Sequence, residues 1–363
     1  MSNLEKVLKA AINYKASDVH LAPGEPYIVR RYGRLIKLKS GELSASRCRQ
    51  EIFEILDKEQ QQRLLKDLQL DFAFEVPGLG RFRGSAMAHH KGMSGVFRII
   101  PPEIPTFEEL GLPEIVTKVL DNHQGIILVT GATGQGKSTT LAAMVDYINT
   151  NRSHHILTVE DPIEFIHPIK RGVVNQRQLE RDTLSYGNAL RGALREDPDV
   201  IMIGELRDLA TISLAISAAE TGHLVIGTLA TSNAPKTIDR IIDAYPPDEQ
   251  NQIRTMLSES LKAVISQRLI PGADGSSMML ACEIMIGTLS LTNLIRDGKT
   301  FQIPSIMQTG KSAGMQVMDD SIMALLQEGK ISASEAIANA AKPEKFKAFV
   351  EKEANKEQEE QTA

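Results

Sequence analysis

Tryptophan is missing from this 363-residue chain, and phenylalanine and tyrosine bring the aromatic share to only 4%. Base-stacking surfaces need aromatics interleaved with basic residues, and no such cluster occurs. A net charge of -5 also removes a general electrostatic grip on a polyanion, so nucleic acid is not an expected partner. Cysteine is scarce: Cys48 and Cys282 are too few for a disulfide scaffold or a four-cysteine zinc site, and a reducing cytoplasm fits such usage. No apolar run approaches the roughly 20 residues that span a bilayer. The opening Met1-Ser2-Asn3-Leu4-Glu5-Lys6 lacks the apolar stretch of a signal peptide, so membrane association is expected only indirectly, through a partner.

What is present is the composition of a folded globular chain, 42% hydrophobic and 24% charged, with room for two domains. Leu4, Val7, Leu8, Ala11 and Ile12 recur at helical spacing and predict an opening helix. Short strand-like stretches follow at Val19-His20-Leu21 and from Tyr27 to Leu38, then a second amphipathic helix from Ser44 to near Leu65. Phe72 to Val76, Arg81-Phe82-Arg83 and Gly95 to Ile100 read as strands separated by glycine turns. The mixture predicts a compact α+β domain over residues 1–100. Pro101, Pro102, Pro105 and Pro113 mark residues 101–113 as a stiff connector.

Beyond the connector the pattern becomes apolar strand followed by helix, repeated over 114–341. Gly125 to Thr130, His155 to Glu160, Val200 to Glu205 and Leu224 to Leu229 are near-continuous apolar runs, as strands buried on both faces of a parallel sheet require. A helix follows the first run to Asn149, another through Ala189 to Glu196 can cross back, and Asp208 can cap a third that Gly222 ends. The predicted class is α/β, a doubly wound engine behind a smaller α+β domain. Residues 342–363 are rich in Lys, Glu and Gln around one apolar cluster, Phe346, Phe349 and Val350, and read as a charged, partly disordered tail.

The strongest chemical signal is Gly131-Ala132-Thr133-Gly134-Gln135-Gly136-Lys137-Ser138, set between a predicted strand and a predicted helix. In that context backbone N–H groups can cradle phosphate, Lys137 can neutralise the β and γ phosphates, and Ser138 can offer its hydroxyl to Mg²⁺. Ala132, Thr133, Gly134, Gln135, Gly136, Lys137, Ser138 and Thr139 are therefore the expected nucleotide-binding residues, although Thr139 and Thr140 suit a helix start better than a ligand role. Two acidic clusters end predicted strands, Glu160-Asp161-Pro162-Ile163-Glu164 and Gly204-Glu205-Leu206-Arg207-Asp208. Glu160 can orient or deprotonate a water, and Glu205 can organise Mg²⁺ through its water shell. The bland alternatives are helix capping, which suits Asp208, and pairing with Arg207. A lone histidine opening a strand, such as His223, or lying in one, such as His20, is ordinarily structural. Arg83 and Arg98 on neighbouring strands are ordinarily surface charges, unless they meet a γ phosphate.

The order of these motifs, with Asp197-Pro198-Asp199-Val200-Ile201-Met202-Ile203-Gly204-Glu205 and Ala219-Glu220-Thr221-Gly222-His223, resembles the secretion ATPase superfamily. Within it the chain is most similar to the type IV pilus retraction motors, a likeness extending from Ala16-Ser17-Asp18-Val19-His20-Leu21 to Leu294-Ile295-Arg296-Asp297-Gly298-Lys299. The resemblance implies a PAS-like first domain, a RecA-like P-loop NTPase domain and a homo-hexamer that hydrolyses ATP with Mg²⁺. It implies a motor at the cytoplasmic face of the inner membrane that works on the pilus platform protein to retract pili, powering twitching motility. It also implies that Arg83 and Arg98 reach the γ phosphate, and that His223 opens a catalytic His box. The chain departs from the family pattern at Ala132, Gln135 and Ala230, the last where a second histidine is usual. Extension and type II secretion motors and an accessory paralogue of the retraction motor are the alternatives within the class. A RecA-like nucleic-acid translocase, against which the missing basic–aromatic cluster speaks, and a non-hydrolysing ring partner are the alternatives outside it. The α+β pattern begins almost at residue 1 without a four-cysteine motif, which turns the expectation toward retraction.

Overall fold

A computed structural model describes residues 2–350. The chain divides into two compact units, Met1–Ile104 with Pro162–Ile166, and Pro105–Asp161 with the chain from His167 onward.

In the first unit, helix α1 (Asn3–Asn13) precedes strands β1 (Asp18–Leu21), β2 (Ile28–Arg31) and β3 (Arg34–Lys37). Helices α2 (Ala45–Glu54) and α3 (Lys58–Asp67) lead to β4 (Gln69–Val76), β5 (Gly80–His89) and β6 (Gly92–Ile99). The strands form one antiparallel sheet in the order β3-β2-β1-β6-β5-β4. Two elements expected as single pieces are split. Tyr32 at φ 48 and Gly33 at φ 76 turn the stretch Tyr27 to Leu38 into the β2–β3 hairpin, and Asp57 caps a new helix start through the Gln60 N–H. Leu4, Leu8, Val19, Ile52, Phe72, Phe82 and Phe97 are buried in this unit's core.

Gly84 shows how tightly that core is set. Its cross-strand neighbours are Phe72 on β4 and Phe97 on β6, and a Cβ added to it would stand 2.4 Å from the Phe72 ring. Phe72 is 1% exposed and held between neighbours, so the ring has nowhere to retreat.

The second unit begins with short helices α4 (Phe107–Leu110) and α5 (Ile115–Leu120). Helix α4 lies inside the proline-rich stretch expected to resist helix, because the prolines flank it while Thr106 and Glu109 form a capping box. The engine then runs β7 (Gly125–Thr130), α6 (Lys137–Asn151), β8 (His155–Glu160), β9 (Val173–Gln178), α7 (Tyr186–Ala193), β10 (Val200–Ile203), α8 (Leu209–Glu220) and β11 (Leu224–Leu229). Helices α9 (Ala234–Ile242) and α10 (Gln250–Ser260) lead to β12 (Leu261–Pro271) and β13 (Met278–Ile286), then α11 (Leu289–Arg296), α12 (Ile303–Thr309), α13 (Met318–Gln327) and α14 (Ala333–Asn339). The sheet order is β13-β12-β7-β11-β10-β8-β9, parallel throughout except for β13. On the outer side of β13, Ile284 and Gln316 exchange both backbone hydrogen bonds, at 2.8 and 3.0 Å, and the Ser321 hydroxyl accepts from the Cys282 N–H at 3.1 Å. Phe346, expected in a solvated tail, is 0% exposed in a core with Ile322 and Ile331, while residues 351–363 of that tail lie outside the described residues.

The chain from His167 to Gly172 folds back on α6. Asn149 donates from Nδ2 to the Pro168 carbonyl at 2.8 Å, and its own carbonyl accepts from the N–H groups of Arg171 and Gly172. Lys170 pairs with Asp146 at 2.8 Å. His167 is 8% exposed, and burial pushes its imidazole down to about 4.

Two outcomes follow. Gly84→Ala should lose about 1–3 kcal/mol of stability by overpacking, read as a lower midpoint in thermal or urea unfolding. Between pH 6.5 and about 4 the unfolded chain binds a proton at His167 that the folded chain refuses, so stability falls as pH drops through that window. His167→Gln should flatten the slope, removing on the order of 3 kcal/mol of the acid loss in pH-resolved unfolding.

Candidate active site

Parallel register brings the chemistry to one edge of the second unit's sheet. Thr130 lies opposite Leu229 on one side and Ser266 on the other, and Ile203 lies opposite Val159 and Gly227. The chain therefore leaves β7, β8, β10 and β11 at the same carboxyl edge, where ligands of open α/β sheets sit.

The glycine-rich turn leaves β7 there and runs into α6. Gly131, Gly134 and Gly136 have φ of 149, 81 and 83, which side-chain-bearing residues rarely adopt. Gly131 has a second reason to lack a side chain, since a Cβ would stand 2.7 Å from the Gln267 carbonyl oxygen of β12. The loop is further pinned by Gln135, whose Oε1 accepts from the Leu269 N–H at 2.6 Å. Gln135, one of the departures from the family pattern, is thus half-buried and tied to β12. Thr130 donates to Ser266 Oγ at 2.9 Å, and buried Gln267 donates to Thr140 Oγ1 at 2.7 Å, fastening β12 to β7 and α6.

Lys137 opens α6 and donates to the carbonyls of Gly131 and Ala132 at 2.8 and 3.0 Å. Burial lowers its ammonium below the usual lysine range, with the Glu205 carboxylate acting in the opposite direction. Ser138 is exposed at the helix start, so its hydroxyl is available to a ligand, and Ala132, Thr133 and Gly134 are exposed in the loop. Thr139 is half-buried in the first helical turn, whereas Thr140 is buried and serves packing.

Both strand-end glutamates reach this edge. Glu160 ends β8, and its Oε1 accepts from Thr158 Oγ1 at 2.6 Å and from Gln176 Nε2 at 3.0 Å. Glu205 follows β10 and pairs with Arg207 at 2.7 Å, while the same guanidinium lies 3.8 Å from Asp161. The Arg207 guanidinium is held more basic than usual, first by its hydrogen bond to Glu205. Gly204 is confined by the Tyr186 hydroxyl, which would stand 3.1 Å from an added Cβ. Burial, and then the nearby Asp161 carboxylate, hold that phenol in its neutral form. Asp208 accepts from the N–H and hydroxyl of Thr211 at 2.9 and 2.8 Å, so it caps α8 as the bland reading had it.

His223 is not brought to the loop. It precedes β11, where Leu224 lies opposite Gly125, whereas the phosphate loop leaves β7 at the opposite end beyond Thr130. Six strand residues separate the two ends, about 20 Å of extended chain. His223 Nδ1 instead lies 3.0 Å from the Ala218 carbonyl, and its own carbonyl accepts from Gly125 N–H at 3.0 Å, so the ring fastens the end of α8. Ala230 is the residue at the carboxyl end of β11, exposed. Arg83 and Arg98 belong to the first unit, where they are direct cross-strand partners. Arg83 pairs with Glu164 at 3.0 Å and Arg98 with Asp18 at 2.9 Å. His20 is half-buried on β1, its imidazole lowered first by burial.

Thr158, Gln176, Tyr186 and Gln267 were missed by motif reading. Thr158 could have been found, since it sits two residues before Glu160 and so shares its face. Gln176 lies on a strand with no apolar run to announce it.

Comparison with known proteins places this arrangement. The family described as Type II/IV secretion system protein matches residues 1–357. The chain is 48% identical over 344 residues to the type IV pilus retraction ATPase PilT of Pseudomonas aeruginosa, covering 95% of this chain and 100% of that protein. It is 47% identical over 317 residues to a twitching motility protein of Neisseria gonorrhoeae, covering 87% and 85%. The crystal structure of the pilus retraction motor PilT with bound ADP superposes with a TM-score of 0.85 at 42% identity, covering 95% of this chain and 98% of that one.

Lys137→Ala removes the one loop cation placed to neutralise phosphate. Phosphate release from ATP by the purified chain should fall ~100-fold or more, with the thermal midpoint little changed. Turnover close to that of the unsubstituted chain would mean the site lies elsewhere.

Proposed function

The chain belongs to the Type II/IV secretion system protein family, and from that membership we propose a ring-forming ATPase motor that retracts type IV pili. One observation carries the reading: a strand–loop–helix phosphate cradle and two strand-end glutamates share one sheet edge, in a chain alike to a retraction ATPase over nearly its whole length.

The residues fit a magnesium-bound nucleotide. Gly131 is pressed so closely on β12 that any side chain would push the loop out of shape, so its backbone is held for the approach of phosphate. Ser138 and Glu205 would hold Mg²⁺, Glu205 through water. When bound, the ion neutralises charge that builds on the phosphate oxygens. Lys137 exchanges its contacts with the loop carbonyls for the β and γ phosphates. Glu160 orients a water for attack on the γ phosphate and accepts its proton. Arg83 and Arg98 stabilise charge on the departing γ phosphate by trading Glu164 and Asp18 for phosphate oxygens. His223 has no part in this chemistry, and its tie to Ala218 suits a structural role.

The six-stranded antiparallel sheet of the first unit supports a PAS-like domain, and the parallel order β12-β7-β11-β10-β8 supports a RecA-like engine. Among the described residues no helix is long and apolar enough to cross a membrane. A hexamer seated on an inner-membrane platform protein at the cytoplasmic face is the assembly that the family likeness favours. There each round of hydrolysis would swing one unit against the other and withdraw pilin.

Steady-state phosphate release with and without Mg²⁺ tests the enzyme, and retraction of labelled pili in cells lacking their own retraction motor tests the direction of work. Arg98→Ala should lower kcat about tenfold or more while changing ATP affinity less than threefold, because its charge matters most as the γ phosphate leaves. An equal loss in both would make it a binding residue.

A further inference from the structure

Thr158 and Gln176 are register partners on β8 and β9, and Glu160 lies two residues beyond Thr158. Side chains alternate along a strand, so all three emerge on one face of the sheet. There the Thr158 hydroxyl and the Gln176 amide converge on a single oxygen, Oε1 of Glu160, at 2.6 and 3.0 Å. The other end of the Gln176 amide is also engaged, its Oε1 accepting from the His167 N–H at 2.9 Å. A backbone N–H can only donate, so the Gln176 carbonyl must face His167 and its NH₂ must face Glu160. The amide therefore has one usable orientation. Meanwhile the backbone carbonyl of Glu160 accepts from Leu179 N–H at 2.9 Å, fixing the main chain beneath.

Resting on the reading of Glu160 as the residue that activates water, we propose that Gln176 is its positioning residue. Two neutral donors on Oε1 stabilise the ionised carboxylate and select one rotamer of it. Of the remaining charged groups at this edge, Asp161, Glu205 and Arg207 share ion pairs and Lys137 donates to the loop carbonyls of Gly131 and Ala132, with the neutral Tyr186 phenol beside them. Gln176 thus supplies a neutral amide donor to Glu160 from the neighbouring strand. Because the same amide holds His167 N–H, it also closes the root of the chain excursion from Asp161 to His167. A carboxylate in place of this amide would keep the contact to His167 but set negative charge against Glu160.

The test is the pH dependence of ATP hydrolysis by the full chain, compared among unsubstituted protein, Gln176→Leu, Gln176→Glu, Thr158→Val and Glu160→Gln. Gln176→Leu should lower kcat about tenfold, leave KM for ATP within about twofold, and move the acid limb of the kcat profile up by about one pH unit. Gln176→Glu, which keeps volume and the His167 bond, should move the acid limb further up. Thr158→Val should move it in the same direction by less. Combined with Glu160→Gln, the Gln176→Leu change should cost nothing further, since it acts through that carboxylate. If Glu160→Gln abolishes turnover while both Gln176 variants keep the original acid limb, the positioning role is overturned and the glutamate's role stands. If Glu160→Gln itself turns over normally, the reading beneath the proposal has failed.

Discussion

The parallel pairing of β7 with β11 on one side and β12 on the other is the constraint on which the rest of the engine depends. Pairing Thr130 with both Leu229 and Ser266 forces the glycine turn to leave the sheet where β12 is still present beside it. The loop is then bounded by the Gln267 carbonyl against Gly131 and by the Leu269 N–H against Gln135. Its curvature is set by a neighbouring strand as much as by its own glycines. The loop backbone is therefore held in shape before any ligand arrives, which is the condition under which backbone dipoles stabilise charge without reorganising.

The same register explains what could be read in advance and what could not. Strands buried on both faces are announced by unbroken apolar runs, so β7, β8, β10 and β11 were legible, and the glycine–lysine pattern between β7 and α6 located the loop. Strand β9 is polar, with Asn175, Gln176, Arg177 and Gln178 along an edge, and no hydrophobic period betrays it. Gln176, whose side chain reaches Glu160 from that strand, was hidden with it. Helices α2 and α3 share an apolar pattern that continues across Asp57, so only cap geometry separates them. His223 stands apart from the loop for a different reason. A motif preserves order along the chain, whereas a parallel strand sends its first and last residues to opposite edges, and sequence order alone does not say which edge holds the ligand.

Arg83 and Arg98 present a second electrostatic problem. They face each other across β5 and β6, where like charges repel, and each is supplied with its own carboxylate, Glu164 or Asp18. The Arg98 side chain is 56% exposed while its Asp18 partner is only 4% exposed, so the guanidinium faces water and neutralises a buried carboxylate. Such partners keep two adjacent cations compatible with a stable sheet. Glu164 lies in the short stretch Pro162–Ile166 that follows directly from Glu160 and Asp161, so the motif that supplies the proposed base also supplies the partner of an arginine.

Strand β13 ends the sheet, and it is not left open. Gln316 exchanges both backbone hydrogen bonds with Ile284, and Ser321 takes the Cys282 N–H, so the outer row of amides and carbonyls is already occupied along that stretch. An unprotected edge strand is a template for any passing extended chain. Here the template is closed at Cys282 and Ile284 by the molecule's own downstream segment, so crowded copies cannot add strand to strand along that part of the margin.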